Sequence, residues 1–415
     1  MPKANESDAV STSPADLRTG SHYDPNAALE SIAKKERLAQ ALLDSLRQMS
    51  FDPAEQKMFE RTWTIGQLPD MVGRAPQTIR DAENEGRLPA PSKDAANRRR
   101  GYTLDAINHM RDVFGTRPHR AEDEDTPVVA FTNFKGGAGK STLAVHFAQY
   151  MALKGYRGLI VDSDPQATAT HMFGINADLE TDNDYALENY LFDDFDDFGR
   201  CIRHSYFPGL DIVPANLGLF NAEYGLAAHT REDPHILNRL KTGVVSVKSD
   251  YDVIIIDPPP ALGMLSLSVI NAATALIIPL RPSIVDFAST AAFLTMLKSN
   301  LSSMISAGFE MQYYFESLLI NNMDDNKGAH KEISKELHGL FPAPDIFAAT
   351  MKDSAEIDNA GREMKTVYDL VRPITSKATH DRCLGYLNAV NLEIENRIRR
   401  IWPSHHDALR KQAII

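Results

Sequence analysis

Short apolar runs alternate with amphipathic helical stretches from residue 126 to the end of the chain. Continuous runs that are rich in Val, Ile and Leu are typical of strands buried on both faces of a parallel sheet. The runs with this character are Val128–Phe131, Gly158–Asp164, Tyr251–Asp257, Ala275–Leu280 and Ser317–Asn321. The alternation predicts an α/β fold with a doubly wound, mostly parallel sheet and helices on both of its faces.

A separate helical pattern runs from Ala27 to Met49. Its apolar positions lie near heptad spacing, at Ile32, Ala39, Leu42, Leu46 and Met49. The pattern predicts a dimerisation helix or, alternatively, a helix packed on its own domain, because the stripe is short for a stable coiled coil. Residues 1–24 are rich in Ser, Thr, Asp and Pro, which predicts a disordered tail.

Residues 61–115 resemble a winged helix-turn-helix of the MerR type. A first helix and a glycine turn are expected at 64–73, a recognition helix at 74–83, a wing at 98–103 and a last helix at 104–114. A recognition helix places the polar side chains of its first turns on base edges, while other polar or basic side chains contact phosphates. The predicted DNA contacts are Arg74 and Gln77 on bases, and Thr78, Arg80, Arg98, Arg99 and Arg100 on phosphates. The alternative for the arginine run is a solvated surface.

A glycine-rich loop with two lysines separates the first strand from the helical stretch that follows it. The loop consists of Lys135, Gly136, Gly137, Ala138, Gly139, Lys140, Ser141 and Thr142. Between a strand and a helix, such a loop points backbone N–H groups and a helix N-terminus at phosphates. Lys140 is expected to reach the β- and γ-phosphates, and Ser141 to ligate Mg²⁺. Phe134 stands where the usual loop begins with Gly, and Lys135 supplies an extra cation.

Two aspartates lie at the ends of later strands, where doubly wound sheets bind their ligands. Asp164 is placed to orient an attacking water, and Asp257 is placed to hold hydrated Mg²⁺. The alternative is that strand-terminal aspartates only cap the helices that follow, and this alternative is strongest for Asp162.

The phrases KGGAGKST, VDSDPQA and DVIIIDPPPALG resemble, in this order, the three signatures of the ParA family of deviant-Walker ATPases, which segregate plasmids and chromosomes. The N-terminal extension resembles the large plasmid type, including the RepA proteins of repABC replicons. The resemblance implies that Lys135 crosses to the partner's nucleotide in an ATP-sandwich homodimer. It also implies that Asp164 is needed for hydrolysis and that Asn321 contacts adenine, although a turn-capping Asn remains an alternative. Ser163 departs from the apolar residue that is usual in the family.

The resemblance implies an enzyme that hydrolyses ATP to ADP and phosphate, with ATP or ADP and Mg²⁺ as its cofactors. It implies that the ATP dimer binds nonspecific DNA, that a ParB-like centromere-binding partner stimulates hydrolysis, and that the ADP form binds and represses an operator. The candidates for nonspecific DNA contacts are basic residues of the C-terminal half: Lys352, Arg372, Arg397, Arg399 and Arg400.

Two alternatives come from other functional classes. A transcription regulator could use ATP only as a ligand, but Lys135 and Asp164 count against it. A membrane-associated ATPase of the MinD type would need a basic amphipathic C-terminal helix, for which Leu392–Trp402 is the candidate. No stable membrane association is expected, because a DNA-binding domain argues the other way.

The composition of the chain limits its domain organisation, its mode of DNA binding and its cellular compartment. At 415 residues with 43% hydrophobic content, the chain can form several domains with full cores. The net charge of −12 argues against DNA binding by the whole surface, so basic patches must bind it. Two distant cysteines, Cys201 and Cys383, indicate a reducing cytoplasm. Without an 18-residue apolar run or a signal core, a cytoplasmic protein is expected, and the family resemblance implies that it is nucleoid-associated.

The expected organisation has five parts. They are a disordered tail (1–24), an N-terminal helix (25–50), a winged helix-turn-helix domain (51–116), an acidic, solvated linker (117–126) and a ParA-type ATPase domain (127–415).

Overall fold

The computed structural model of the chain describes residues 29–39, 41, 57–90, 92–93, 95, 99–177, 185–192 and 195–415. Residues 1–54 and 55–415 form two compact units. In the first unit, residues 29–39 are helical, and the side chains of Leu29, Ile32 and Leu38 are exposed. The predicted tail and the heptad positions from Leu42 onward lie outside the described residues.

A seven-stranded sheet organises the second unit. Its strands are Val128–Phe131 (β1), Gly158–Asp162 (β2), Arg203–His204 (β3), Leu210–Val213 (β4), Val253–Asp257 (β5), Ala275–Leu280 (β6) and Phe315–Ile320 (β7). The order across the sheet is β3-β4-β2-β5-β1-β6-β7. Only the short edge strand β3 is antiparallel to its neighbour, so the predicted doubly wound, mostly parallel sheet is confirmed.

Helices connect the strands and cover both faces of the sheet. The α-helices are Leu68–Val72 (α1), Pro76–Asn84 (α2), Leu104–Phe114 (α3), Lys140–Lys154 (α4), Thr168–Met172 (α5), Leu187–Leu191 (α6), Leu219–His229 (α7), Arg239–Val247 (α8), Met264–Ala272 (α9), Ile284–Ser306 (α10), Gly328–Leu340 (α11), Ala355–Arg362 (α12), Lys377–Arg399 (α13) and His406–Lys411 (α14). Short 3₁₀ turns occur at Phe198–Cys201, Pro234–Asn238, Lys248–Asp250 and Pro403–His405. Among the described residues, no helix is long and apolar enough to cross a bilayer.

The strands are buried on both faces, as their unbroken apolar sequences require. Because side chains alternate along a strand, Val129 and Phe131 of β1 face one apolar cluster, while Val128 and Ala130 face the other. The first cluster also contains side chains of α1 to α4 and α13, so the N-terminal helices share a core with one face of the sheet. The second cluster contains side chains of α7 to α10.

Helices α1 to α3 form the segment for which a winged helix-turn-helix is predicted. Helix α1 ends at Gly73, whose φ of 69° is a left-handed conformation that favours glycine. The chain then extends through Ala75 into Pro76, the first residue of α2. Trp63 pairs with Tyr102 in an antiparallel bridge, which closes the segment before α3. The three helices lie where the sequence pattern places them; their binding to DNA stays a prediction.

Residues 120–126, within the predicted acidic linker, are docked on the rest of the unit through Arg120, while the side chains of Glu122, Asp123 and Asp125 remain exposed. The buried Arg120 guanidinium donates hydrogen bonds to the backbone carbonyls of Ala121, Glu122, Glu124, Lys248, Ser249 and Tyr251. Glu124 accepts from the backbone N–H of Ser404 at 2.6 Å, and Asp125 pairs with Lys248 at 2.9 Å. Donors from distant parts of the chain therefore hold the carboxylates of Glu124 and Asp125, which local composition does not reveal.

The C-terminal helix α13 departs from two further expectations. Ile394, Ile398 and the following Trp402 are fully buried, so the apolar side that a membrane-binding helix would need is already covered. The Arg397 guanidinium is also buried and donates to the carbonyls of Pro344 and Ile346. Arg397 is therefore not a candidate for contacts with DNA, because its charged group is used inside the protein.

Replacing Arg120 should destabilise the second unit. Arg120→Lys is expected to lower the free energy of unfolding by roughly 2–4 kcal/mol, because an ammonium group cannot satisfy so many buried carbonyls. Urea unfolding of the full chain measures the change, with the exposed pair Arg410–Asp407 supplying the control Arg410→Lys. An unfolding midpoint equal to that of the control would contradict a structural role for residues 120–126.

Candidate nucleotide-binding site

The carboxyl ends of the parallel strands bring the predicted site residues to one edge of the sheet. β2 and β5 pair in a register that sets Asp162 beside Asp257, and β1, next to β5, leads into the glycine-rich loop. The charges of Asp257 and Asp164 both raise the pKa of Lys140, which places the three groups close together. Lys140 is only 6% exposed, and its burial, the largest effect, lowers that pKa. A poorly hydrated ammonium in this position suits a phosphate.

The loop itself is shaped by glycines and by Asn321. Gly137 and Gly139 have φ values of 75° and 86°, which a residue with a side chain would adopt only with strain. The Asn321 amide nitrogen donates to the Ala138 carbonyl at 2.7 Å, and a Cβ on Gly139 would lie 2.2 Å from that nitrogen. Asn321 therefore supports the loop from the end of β7, a role that its strand-tip position alone did not indicate.

Asp257 is a buried carboxylate without a protein partner. It is fully buried, and neither carboxylate oxygen has a partner in hydrogen-bonding geometry among the described residues. Burial, and then the charge of Asp162, raise its pKa well above the ordinary value, while the nearby Ser141 hydroxyl and Lys140 oppose that rise. The carboxyl oxygens of Asp257 and the hydroxyl of Ser141 are oxygen ligands of the kind that Mg²⁺ prefers, so these two residues fit a magnesium site.

Asp162 and Asp164 have different surroundings although they are two residues apart. Asp162 accepts hydrogen bonds from the Thr170 backbone N–H at 2.8 Å, the Thr170 hydroxyl at 2.7 Å and the Asp164 N–H at 3.1 Å. Burial nevertheless raises its pKa to about 7. These contacts fit the capping alternative for Asp162, which organises the chain between β2 and α5.

Asp164 lies on the same edge, between Asp162 and the loop. One carboxylate oxygen accepts from the Gln166 N–H at 2.9 Å. Burial raises the pKa of Asp164, and the Gln166 N–H and the Lys140 charge oppose that rise. Asp164 is 6% exposed, so the carboxylate is sheltered beside the position where the loop would hold phosphates.

Lys135 is turned toward α10. Its ammonium forms an ion pair with Asp286, in the first turn of that helix. Burial alone would raise the pKa of Asp286, but hydrogen bonds from Lys135 and Ser283 bring it below its ordinary value. The sequence analysis missed Asp286; the spacing Ser283-x-x-Asp286 signals a helix start but not its lysine partner.

His146 is a second residue that the sequence analysis missed. It lies in the second turn of α4 and is fully buried. Its Nδ1 is 2.7 Å from the Thr142 carbonyl, and its Nε2 accepts from the Val367 N–H at 3.2 Å. Nδ1 therefore carries the proton, and burial lowers the pKa of the ring. His146 therefore ties the helix that follows the loop to the backbone of Val367.

The residues predicted to contact DNA divide into two groups. Gln77, Thr78 and Arg80 are exposed on α2, while Ile79 between them is buried and holds the helix down. Arg74 and Arg99 are engaged within the protein. The Arg74 guanidinium donates to the carbonyls of Gly73 and Phe114, and Arg99 pairs with Glu83 at 2.9 Å. Arg100 is exposed, and Arg98 lies outside the described residues.

The chain is similar to known proteins over most of its length. A family model described as "AAA domain" matches residues 126–306. Protein SopA of Escherichia coli is 36% identical over 334 residues, which cover 78% of this chain and 85% of SopA. The sporulation initiation inhibitor protein Soj of Bacillus subtilis is 36% identical over 154 residues, which cover 37% of this chain and 58% of Soj.

A solved structure described as "Partition Protein" has the same fold. It superimposes with a TM-score of 0.60 at 20% identity, and the match covers 83% of this chain and 98% of that one. The similarity to SopA extends over most of both chains and includes the site built from the loop, Asp164 and Asp257. The chain therefore belongs to the ParA family of partition ATPases, P-loop enzymes that hydrolyse ATP to ADP and phosphate.

Proposed function

We propose that this chain is a DNA-partitioning ATPase whose nucleotide state decides what it binds. The observation that carries the proposal is the meeting of Lys140, Asp164 and the unpaired, fully buried Asp257 at one edge of the sheet. A cation for phosphates, a carboxylate for water and an oxygen ligand for Mg²⁺ are the parts that phosphoryl transfer to water requires.

Each group has a distinct role in this proposal. The loop N–H groups from Lys135 to Thr142 and the N-terminus of α4 bind the phosphates, and Lys140 neutralises the β- and γ-phosphates. Ser141 and Asp257 hold Mg²⁺, which supplies charge neutralisation when it is bound. Asp164 orients the attacking water and accepts its proton. Asn321, beside the loop, remains the candidate for the adenine contact.

The position of Lys135 supports a homodimer. In the single chain this lysine is paired with Asp286, and its side chain is still 32% exposed at the edge of the site. Exposed Ile284 and Val285 lie beside Asp286, so a second copy would find an apolar surface next to the lysine. ATP closes the dimer when Lys135 leaves Asp286 and crosses to the partner's nucleotide.

DNA binding uses two surfaces in this proposal. The exposed polar face of α2, with Arg100 nearby, binds an operator in the ADP form and represses transcription. Among the basic residues of the C-terminal half, Arg372 and Arg400 are exposed, and Lys352 and Arg399 are half-buried; these bind nonspecific DNA in the ATP dimer. The protein is then held on the nucleoid until a ParB-like partner stimulates hydrolysis.

Two lysine variants should separate nucleotide binding from dimer closure. Lys140→Ala is expected to lose ATP and ADP binding, because the phosphates lose their buried cation. Lys135→Ala is expected to keep ADP binding and to lose the ATP-dependent dimer. Binding of a fluorescent ATP analogue and light scattering with and without ATP measure the two properties. Lys154→Ala, at the exposed far end of α4, is the control and should keep both.

An ATP-dependent dimer that survives in Lys135→Ala would rule out the crossing lysine. Unchanged nucleotide affinity in Lys140→Ala would remove the assignment of the phosphate loop.

Substitutions on α2 should separate the two kinds of DNA binding. Replacing Gln77, Thr78 and Arg80 by Ala removes exposed side chains and leaves the structural contacts of Arg74 in place. Each good bidentate base contact is worth roughly 1–3 kcal/mol, so operator binding with ADP should fall by about tenfold or more. ATP-dependent binding to random DNA should persist. Gel shifts at one fixed salt concentration measure both, since phosphate contacts make affinity depend on salt.

A matched control replaces exposed basic residues of the C-terminal half instead of residues on α2. Arg372→Ala with Arg400→Ala should weaken binding to random DNA and leave operator binding unchanged. Parallel loss of both activities in the folded α2 variant would mean that α1 to α3 carry the only DNA-binding surface.

A further inference from the structure

Helix α4 joins the nucleotide site to the N-terminal helices. It runs from Lys140, in the phosphate loop, to Lys154, and Gly139 and Gly155 cap its two ends. With 15 residues it spans about 22 Å. Its residues from Leu143 to Ala152 are buried. Close packing around these residues restricts sideways movement of the helix more than movement along its axis.

Arg111 of α3 binds the far end of this helix. Its guanidinium Nη2 donates to the Leu153 carbonyl at 2.8 Å, in the last turn of α4. The same group donates through Nε to the Met71 carbonyl at 2.9 Å and through Nη1 to Asn108 Oδ1 at 2.7 Å. One planar side chain therefore fastens α4 to both α1 and α3.

Arg117 adds a second contact at the same place. Its Nε donates to the Gly155 carbonyl at 2.8 Å, and its Nη1 lies 3.1 Å from Asp112. A Cβ on Gly155 would come within 2.9 Å of Arg111 Nη1, so the glycine admits the guanidinium. Arg111 and Arg117, together with the carbonyls of Leu153 and Gly155, are called here the arginine junction.

The charged group of Arg111 is satisfied by neutral oxygen acceptors. Its side chain is 2% exposed, and no carboxylate of the described residues forms an ion pair with it. Its acceptors include carbonyls in the last turns of α1 and α4, where the helix dipole is negative. A displacement of α4 changes the electrostatics of this buried cation directly, because solvent does not screen it.

We propose that Arg111 is a positioning residue that carries nucleotide-dependent shifts of α4 to helices α1 to α3. Phosphates and Mg²⁺ act on the N-terminus of α4, and the arginine junction passes the resulting shift to α1 and α3. The exposed face of α2 changes its position accordingly. This inference rests on the proposed function insofar as that face binds an operator, but the coupling itself needs no DNA.

Hydrogen exchange with and without nucleotide tests the coupling. The full-length protein is measured with Mg²⁺-ADP and with Mg²⁺ and a non-hydrolysable ATP analogue. In wild type, amides of α1 to α3 should differ between the two nucleotides by about twofold or more in exchange rate. Arg111→Lys should lose this difference, because an ammonium cannot span three acceptors, and keep the difference in residues 135–145. Arg410→Lys is the control and should match wild type.

Arg117→Ala provides a second variant if Arg111→Lys folds poorly. It removes the bond to Gly155 from a partly exposed side chain and should reduce the nucleotide-dependent difference in α1 to α3. A full difference retained in a folded Arg111→Lys, or in Arg117→Ala when it alone folds, would overturn the coupling. No difference in α1 to α3 of wild type would also overturn it, while leaving the ATPase assignment intact. No difference in residues 135–145 either would instead contradict the nucleotide site.

Discussion

The parallel pairing of β1, β2 and β5 is the constraint on which the site depends. Parallel strands end at the same edge, so the loop after β1, Asp164 after β2 and Asp257 at the end of β5 must meet there. The strands are held by apolar clusters on both faces, which fixes their ends. Burying the carboxyl group of Asp257 is costly, and the close packing of the strands offsets this cost.

Asp162 and Asp164, two neighbouring carboxylates at this edge of the sheet, have different roles. Asp162 is surrounded by donors from Thr170 and the Asp164 backbone, and so it organises the chain. Asp164 points its charge toward Lys140 and keeps fewer hydrogen bonds. Surroundings rather than residue type therefore distinguish a structural acid from the proposed catalytic one.

The features that the sequence predicts depend on residues that lie close together in the chain. The strands, the phosphate loop and the three N-terminal helices follow from apolar runs, glycines and turn residues that are close together in the chain. The missed features join residues that are far apart. Asn321 supports Ala138 across 183 positions, and His146 reaches Val367 across 221. Lys135–Asp286 and Arg111–Leu153 likewise depend on tertiary packing, as does the docking of residues 120–126.

Phosphate release by Asp164→Asn tests the central claim most directly. Asparagine keeps the size of the side chain and removes the charge that would accept a proton from water. The account predicts that ATP binding persists and that hydrolysis, with and without a ParB-like partner, falls by about 100-fold or more. Asp407→Asn, which changes an exposed aspartate of α14 that pairs with Arg410, should hydrolyse ATP as wild type does. Wild-type phosphate release by Asp164→Asn would contradict the account and place the catalytic acid elsewhere.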